Sequence, residues 1–217
     1  EIHEGIHSGN IRMKLFTQKP HLTDSRKLLF KGDEIKKYSL KWGKYYVNYS
    51  RSLIDKNKGE YASLSKAIYF ETPKILVRRT GDSVIATYDE NAFFASNNFF
   101  TVNLQNEDAS VYKLILAILN SKLMTWYFNA IQPRKGKLFA ELKINHINDF
   151  PINKKSFTDS QDPTRKELIA LTQELLKLNQ GLVELDPILD KEEYEQLQEK
   201  INTIDQEANK KVYKLYK

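Results

Sequence analysis

The sequence predicts an α+β fold: a body of short strands with a packed helix, followed by an antiparallel helical hairpin of coiled-coil character. Three observations predict it. Runs of β-branched and aromatic residues, punctuated by turn residues, lie ahead of residue 103. One stretch between 111 and 130 repeats its apolar residues at helical spacing. Beyond a polar, proline-containing segment the apolar residues step by alternating threes and fours. The boundary is placed at about residue 157, giving a body of 1–157 and a hairpin of 158–217.

In chain order, residues 2–20 are mixed, with Ser8-Gly9-Asn10 as a turn. From Leu28 to Tyr49 the chain is aromatic and basic, and Tyr45-Tyr46-Val47-Asn48-Tyr49 has strand-forming residues. A hairpin is expected from Ile75 to Arg79 and Ser83 to Tyr88, turning at Thr80-Gly81-Asp82, and a further strand at Phe99 to Val102. Val111, Leu114, Ile115, Ile118, Leu119, Leu123, Trp126 and Tyr127 predict one helix over 111–130, stopped before Pro133. Asn153 to Arg165 reads as a linker. Leu168, Leu171, Leu175, Leu178, Leu182, Leu185 and Leu189 form one seam, Asp186-Pro187 the turn, and Tyr194, Leu197, Ile201, Ile204, Ala208, Val212 and Leu215 the second seam. The two seams can bury each other, so the body is expected to fold without the hairpin.

Charge divides at the same place. Residues 1–157 hold 25 Lys and Arg against 15 Asp and Glu, whereas 158–217 hold 9 against 13. A basic body suits a polyanion and an acidic tail suits a protein partner. With no cysteine, disulfides, thiolate metal sites and cysteine nucleophiles are excluded. No apolar run approaches the ~20 residues of a membrane span, and Glu1 to Asn10 has no signal-peptide core. The expectation is a cytoplasmic protein without a membrane partner.

Catalytic motifs are missing or incomplete. Cofactor binding by S-adenosylmethionine-dependent methyltransferases uses a glycine-rich strand-to-helix turn. The eight glycines contain no Gly-x-Gly, and no two prolines are adjacent to form an Asn-Pro-Pro-Tyr element. No cofactor is expected in this chain. His3-Glu4-Gly5-Ile6-His7 matches the zinc-protease pattern, but that chemistry needs both histidines on one helix face, and a glycine and a turn interrupt it here. His21 and His146 are isolated, and no metal site is expected. Glu34-Ile35-Lys36 and Glu141-Leu142-Lys143 give only half of a nuclease motif.

The binding candidates are basic. Lys36, Lys37, Lys41, Lys44 and Arg51 are interleaved with Tyr38, Trp42, Tyr45, Tyr46 and Tyr49, as a surface that contacts phosphates and bases would be. A twisted sheet with tyrosines inward and lysines outward fits this stretch equally well. Arg134-Lys135-Gly136-Lys137 follows the 111–130 helix and suits a loop on DNA backbone or a guanine edge.

Six segments, in order, resemble one family. Gly5-Ile6-His7-Ser8-Gly9-Asn10, Gly32-Asp33-Glu34-Ile35-Lys36-Lys37-Tyr38, Pro73-Lys74-Ile75, Ala117-Ile118-Leu119-Asn120-Ser121-Lys122, Phe150-Pro151-Ile152 and Ile204-Asp205 with Val212-Tyr213-Lys214-Leu215-Tyr216 are similar to the TaqI-like specificity domains of type IIG restriction enzymes and related methylases. The resemblance implies a module that selects a site on double-stranded DNA. It implies that a methyltransferase domain or subunit, expected outside this chain, uses S-adenosylmethionine to methylate a flipped adenine at N6. Base contacts vary across that family, so none is carried over. Half of a type I restriction specificity subunit would show similar features. A stand-alone nuclease or zinc hydrolase and a protein-interaction adaptor are the readings from other classes.

Overall fold

The computed structural model describes the whole chain except residues 21–22, 106–107, 132–140, 153–156, 158 and 217. Its strands are β1 (Ile2–Glu4), β2 (Phe16–Thr17), β3 (Ser25–Leu29), β4 (Ile35–Lys36), β5 (Ser39–Leu40), β6 (Tyr45–Asn48), β7 (Lys74–Arg78), β8 (Ala86–Asp89), β9 (Phe94–Ala95) and β10 (Phe99–Val102). Its helices are α1 (Arg12–Leu15), α2 (Ile68–Glu71), α3 (Ala109–Asn120), α4 (Lys122–Ile131), α5 (Ile144–Asn148), α6 (Pro163–Glu184) and α7 (Lys191–Leu215). The mixed α+β class predicted from sequence is the class observed: small sheets followed by two long, packed helices.

A central antiparallel sheet of order β1-β10-β7-β8 separates two cores. The register pairs Ile75 with Tyr88 and Val102, and Val77 with Ala86 and Phe100. This face packs with Leu114, Ile118 and Leu119 of α3 and with Leu168, Leu175, Ile201, Ile204 and Val212 of the two long helices. The alternate residues Leu76 and Phe99 face a second core, built with Leu28, Val47 and Phe94 of a sheet of order β2-β6-β3-β9. Burial on both faces explains why Ile75-Leu76-Val77 is continuously apolar rather than alternating.

Lys74 belongs to that inner register. Its ammonium is fully buried and lies 2.6 Å from the fully buried Asp89 carboxylate, and it also donates to the carbonyl of Phe70. Asp89 accepts in addition from the backbone N–H groups of Asn91 and Phe93. Burial draws the Lys74 pKa downward, opposed by the charge of Asp89. The Pro-Lys-Ile segment thus bolts β7 to β8, to the turn after β8 and to α2.

The single helix expected over 111–130 is two helices bent by 57°. Asp108 caps α3 by accepting from Ser110 N and Val111 N. At the other end the Asn120 side chain forms a two-way amide pair with Ala86, donating to its carbonyl at 3.0 Å and accepting from its N–H at 2.9 Å. Ser121 then leaves the helix in extended backbone, and its hydroxyl accepts from Met124 N to start α4. Asn209 of α7 accepts from Lys122 N. The Asn-Ser-Lys segment is therefore a junction of three elements. Strand β8 begins at Ala86 rather than Ser83, and Val84 lies in the helix-side core with Ala86.

No single described helix is long and apolar enough to cross a membrane; the α3–α4 pair passes by length and composition only, and α3 is buried in the helix-side core.

Asp162 accepts from Thr164 N and Pro163 opens α6, as a first-turn proline should. Lys211 pairs with Glu167 and Lys200 with Glu174, while Gly181 faces Leu197. Partner numbers rise on one helix as they fall on the other, so α6 and α7 run antiparallel. The first seam ends at Leu185: Leu189 is 83% and Ile188 85% exposed, because Asp186 accepts from both of their N–H groups and folds the tip away from the helix pair. The hairpin does not stand apart from the body. Its buried leucines share one apolar cluster with α3 and the central sheet.

Candidate nucleic-acid interface

The basic-aromatic segment splits into an inward and an outward part. Strands β4 and β5 form a two-residue-strand hairpin, pairing Ile35 with Leu40 and Lys36 with Ser39. Tyr38 at its turn has φ of 65°, in the left-handed region that side chains other than glycine rarely enter. This sends the Tyr38 ring into the helix-side core, and its N–H to the Ala86 carbonyl at 3.1 Å. Burial pushes its phenol pKa upward. Lys37 follows it inward: its ammonium donates to the carbonyl of Asn120 at 2.6 Å, at the C-terminus of α3. Burial lowers its pKa, and Asp205 opposes the shift. Lys37 is committed to the end of a helix.

Lys36, Lys41, Lys44 and Arg51 are exposed. Lys41 and Lys44 flank Trp42 and Gly43 on a ridge that the fold holds firmly. The buried Glu34 carboxylate accepts from the N–H groups of Phe30, Lys31 and Gly43, the last at 2.6 Å. The Glu34 carbonyl accepts from Lys41 N at 2.7 Å. A β-carbon on Gly43 would stand 2.5 Å from the carboxylate, so any side chain there would push Glu34 off its hydrogen bonds. The Trp42 indole donates to the Tyr45 carbonyl at 2.8 Å, and Lys44 sits at φ of 60°. The ridge separates a groove of about 680 Å3, walled by Tyr88, Phe93 and α6, from a smaller concavity beside Lys31 and Tyr45.

Two contributors to this surface, Lys27 and Phe93, were not singled out in the sequence. The Lys27 ammonium lies 5.1 Å from the Trp42 ring and 5.8 Å from Phe93, and Tyr46 meets Trp42 edge-on at 5.1 Å. Residues 42 and 93 precede strands β6 and β9, and β3, lying antiparallel to β6 and parallel to β9, brings Lys27 beside both. No short-range pattern could have linked them. Tyr49 is structural, its hydroxyl donating to the Ser65 carbonyl. Arg51 opens a 3-10 turn, Arg51–Leu53. Arg134, Lys135 and Lys137 lie outside the described residues.

The discounted motifs receive structural explanations. His3 and Glu4 lie on strand β1, with His3 stacked on Tyr69 at 3.4 Å and Glu4 paired with Arg79. Gly5 packs against the Ser96 carbonyl, Gly9 against that of Tyr61 at φ of 52°, and Asn10 bonds to Gly59 and Tyr61. Glu141 pairs with Arg79, and buried His146 accepts from Lys143 N. Among the described residues no group of three His, Asp or Glu side chains could hold a metal ion.

Replacing Glu34 by alanine removes three charge-assisted hydrogen bonds from the ridge. We expect a loss of about 2–3 kcal/mol of stability, read from urea melts, with faster amide exchange at Gly43 than elsewhere in the body. Unchanged exchange there would mean that the ridge is held by other contacts.

Residues 27–152 match the TaqI-like C-terminal specificity domain. No curated protein matches the chain. Among solved structures the chain is similar to the type IIL restriction-modification enzyme MmeI in complex with DNA, with a TM-score of 0.59 and 11% sequence identity. The match covers 99% of this chain and 33% of that one. At this identity the likeness is one of fold, and the chain spans about a third of the MmeI chain.

Proposed function

The chain belongs to the TaqI-like C-terminal specificity domain family, and from this we propose that it is the duplex-DNA target-recognition module of an adenine-N6, type IIG-like restriction-modification methyltransferase. The observation that carries the proposal is the ridge: exposed Lys41 and Lys44 around Trp42, ordered before any ligand arrives by Glu34 and Gly43. Preorganised cations give phosphate affinity and fix register, while neighbouring side chains are left to read base edges. The likeness of fold to MmeI, which was solved with DNA, supports the same reading.

In this proposal Lys36, Lys41 and Lys44 contact phosphates, and Arg51, Arg134, Lys135 and Lys137 remain further candidates for contact. Methylation, and the S-adenosylmethionine it consumes, belong to a separate methyltransferase domain acting in the cytoplasm. We keep the division at about residue 157 as one of role. The body faces DNA, and the acidic outer face of the hairpin, around Glu174, Glu199 and Glu207, faces the methyltransferase.

Selection from a randomised duplex library tests the proposal. The chain should enrich one short sequence. Lys41→Ala with Lys44→Ala should weaken enriched and scrambled duplexes alike and reduce the slope of log affinity against log salt by about two, since each phosphate contact contributes ~0.9. A chain that enriches nothing and binds duplex without salt dependence is not a DNA-recognition module.

A further inference from the structure

Two adjacent arginines close strand β7, and the fold treats them oppositely. Arg79 is paired: its Nε donates to Glu141 at 2.6 Å, and another nitrogen pairs with Glu4 and reaches the Asn97 carbonyl at 3.2 Å. Arg78 is half-buried. Its Nε is shut off from solvent without a hydrogen-bond partner, and among the described residues no ion pair or other polar contact engages the guanidinium, whose outer nitrogens stay open to solvent.

The position of Arg78 is specific. It lies opposite Phe99 in the register, and a β-carbon on Gly32 would stand 3.1 Å from its Nε. Gly32 opens the turn whose Glu34 carboxylate holds Gly43, so the guanidinium adjoins the element that orders the Lys41–Lys44 ridge.

A donor nitrogen withdrawn from water and left unpaired opposes folding. Arginine cannot escape by losing its proton, and its planar fork matches two adjacent acceptors better than one. Within a duplex two acceptors of that geometry are on offer, the oxygens of a phosphate and the O6–N7 edge of guanine.

We propose that Arg78 is a DNA contact of this domain, its guanidinium engaging a paired acceptor of the bound duplex. The assignment rests on the reading of the chain as DNA-binding. It gives a partner to the outer nitrogens of Arg78, which stay open to solvent and unpaired among the described residues beside a neighbour that has two carboxylates. Stability given up at one residue in return for binding has a two-sided signature: removing the group strengthens the fold and weakens the complex.

The experiment compares wild type, Arg78→Met and Arg78→Lys, measuring Tm and affinity for the enriched and a scrambled duplex across salt concentrations. Arg78→Met should keep or raise Tm while losing about ten- to a hundredfold in affinity for the enriched duplex. A loss confined to the enriched duplex, not recovered by Arg78→Lys, assigns a guanine edge. An equal loss on both duplexes, with the salt slope lower by about one and recovery by Arg78→Lys, assigns a phosphate. Wild-type affinity in Arg78→Met for both duplexes overturns the assignment, as does a fall in Tm that tracks the fall in affinity. If the wild-type chain binds no duplex, the DNA reading itself fails and Arg78 falls with it.

Discussion

Replacing Lys74 by alanine should cost about 3–5 kcal/mol, the range for breaking a buried ion pair by deleting one partner. That is a large share of the ~5–15 kcal/mol by which a domain is stable. The loss comes from what remains. Asp89 stays fully buried, still held by the N–H groups of Asn91 and Phe93, with no cation 2.6 Å away. In many proteins an apolar pair of similar volume can replace a buried ion pair at little cost. Here it should not, because removing the Asp89 carboxylate also strands two backbone donors. The ordering expected in urea melts is wild type, then Asp89→Asn with Lys74 retained, then Lys74→Met, with the double apolar replacement no more stable than Lys74→Met. A double replacement as stable as wild type would show that the pair contributes shape alone.

That pair also marks how far the sequence could be read. Strands β7 and β10 and the helical spacing of α3 were legible because each is a local pattern of residue types. The two-sided burial of β7 was not: it depends on a second sheet whose strands come from four separated segments. The break at Ser121 was hidden because Leu119, Leu123 and Tyr127 keep helical spacing straight through it. What stops α3 is the amide of Asn120 finding Ala86, 34 residues away.

The candidate site shows the same limit. Alternating lysines and tyrosines at 36–49 could not reveal that the left-handed backbone at Tyr38 turns it and Lys37 inward while Lys41 and Lys44 stay out. Lys27 and Phe93 reach Trp42 because β3 pairs with both β6 and β9. Arg78 looked like any strand-end arginine until its partners could be counted.

Ending the chain after residue 157 should abolish cooperative folding of what remains. Helix α3 has Val111, Tyr112, Leu114, Leu116, Ala117, Ile118 and Leu119 all buried. A helix apolar on every side needs neighbours on every side, and the central sheet covers only one. Leu168 and Leu175 of α6, with Ile201, Ile204 and Val212 of α7, complete its cluster. Removing them bares several large aliphatic side chains at ~1.5–3 kcal/mol each, a sum of the same order as the stability of a whole domain. The cut also takes Asn209 from the start of α4 and Asp205 from the side of Lys37. Residues 1–157 should therefore melt without a sigmoidal transition, lose near-ultraviolet dichroism and associate on a sizing column. A cooperative urea transition in that fragment would show that the body's own two cores suffice. Loss of DNA binding on truncation would report unfolding, so the roles of the two parts have to be separated on the intact chain. Glu199→Lys with Glu207→Lys, both exposed on α7, should leave Tm and duplex affinity near wild type while weakening association with a methyltransferase partner. Lys41→Ala with Lys44→Ala should do the reverse. If both pairs weaken DNA binding equally, the acidic face is not a separate docking surface and the assignment of roles at residue 157 is withdrawn.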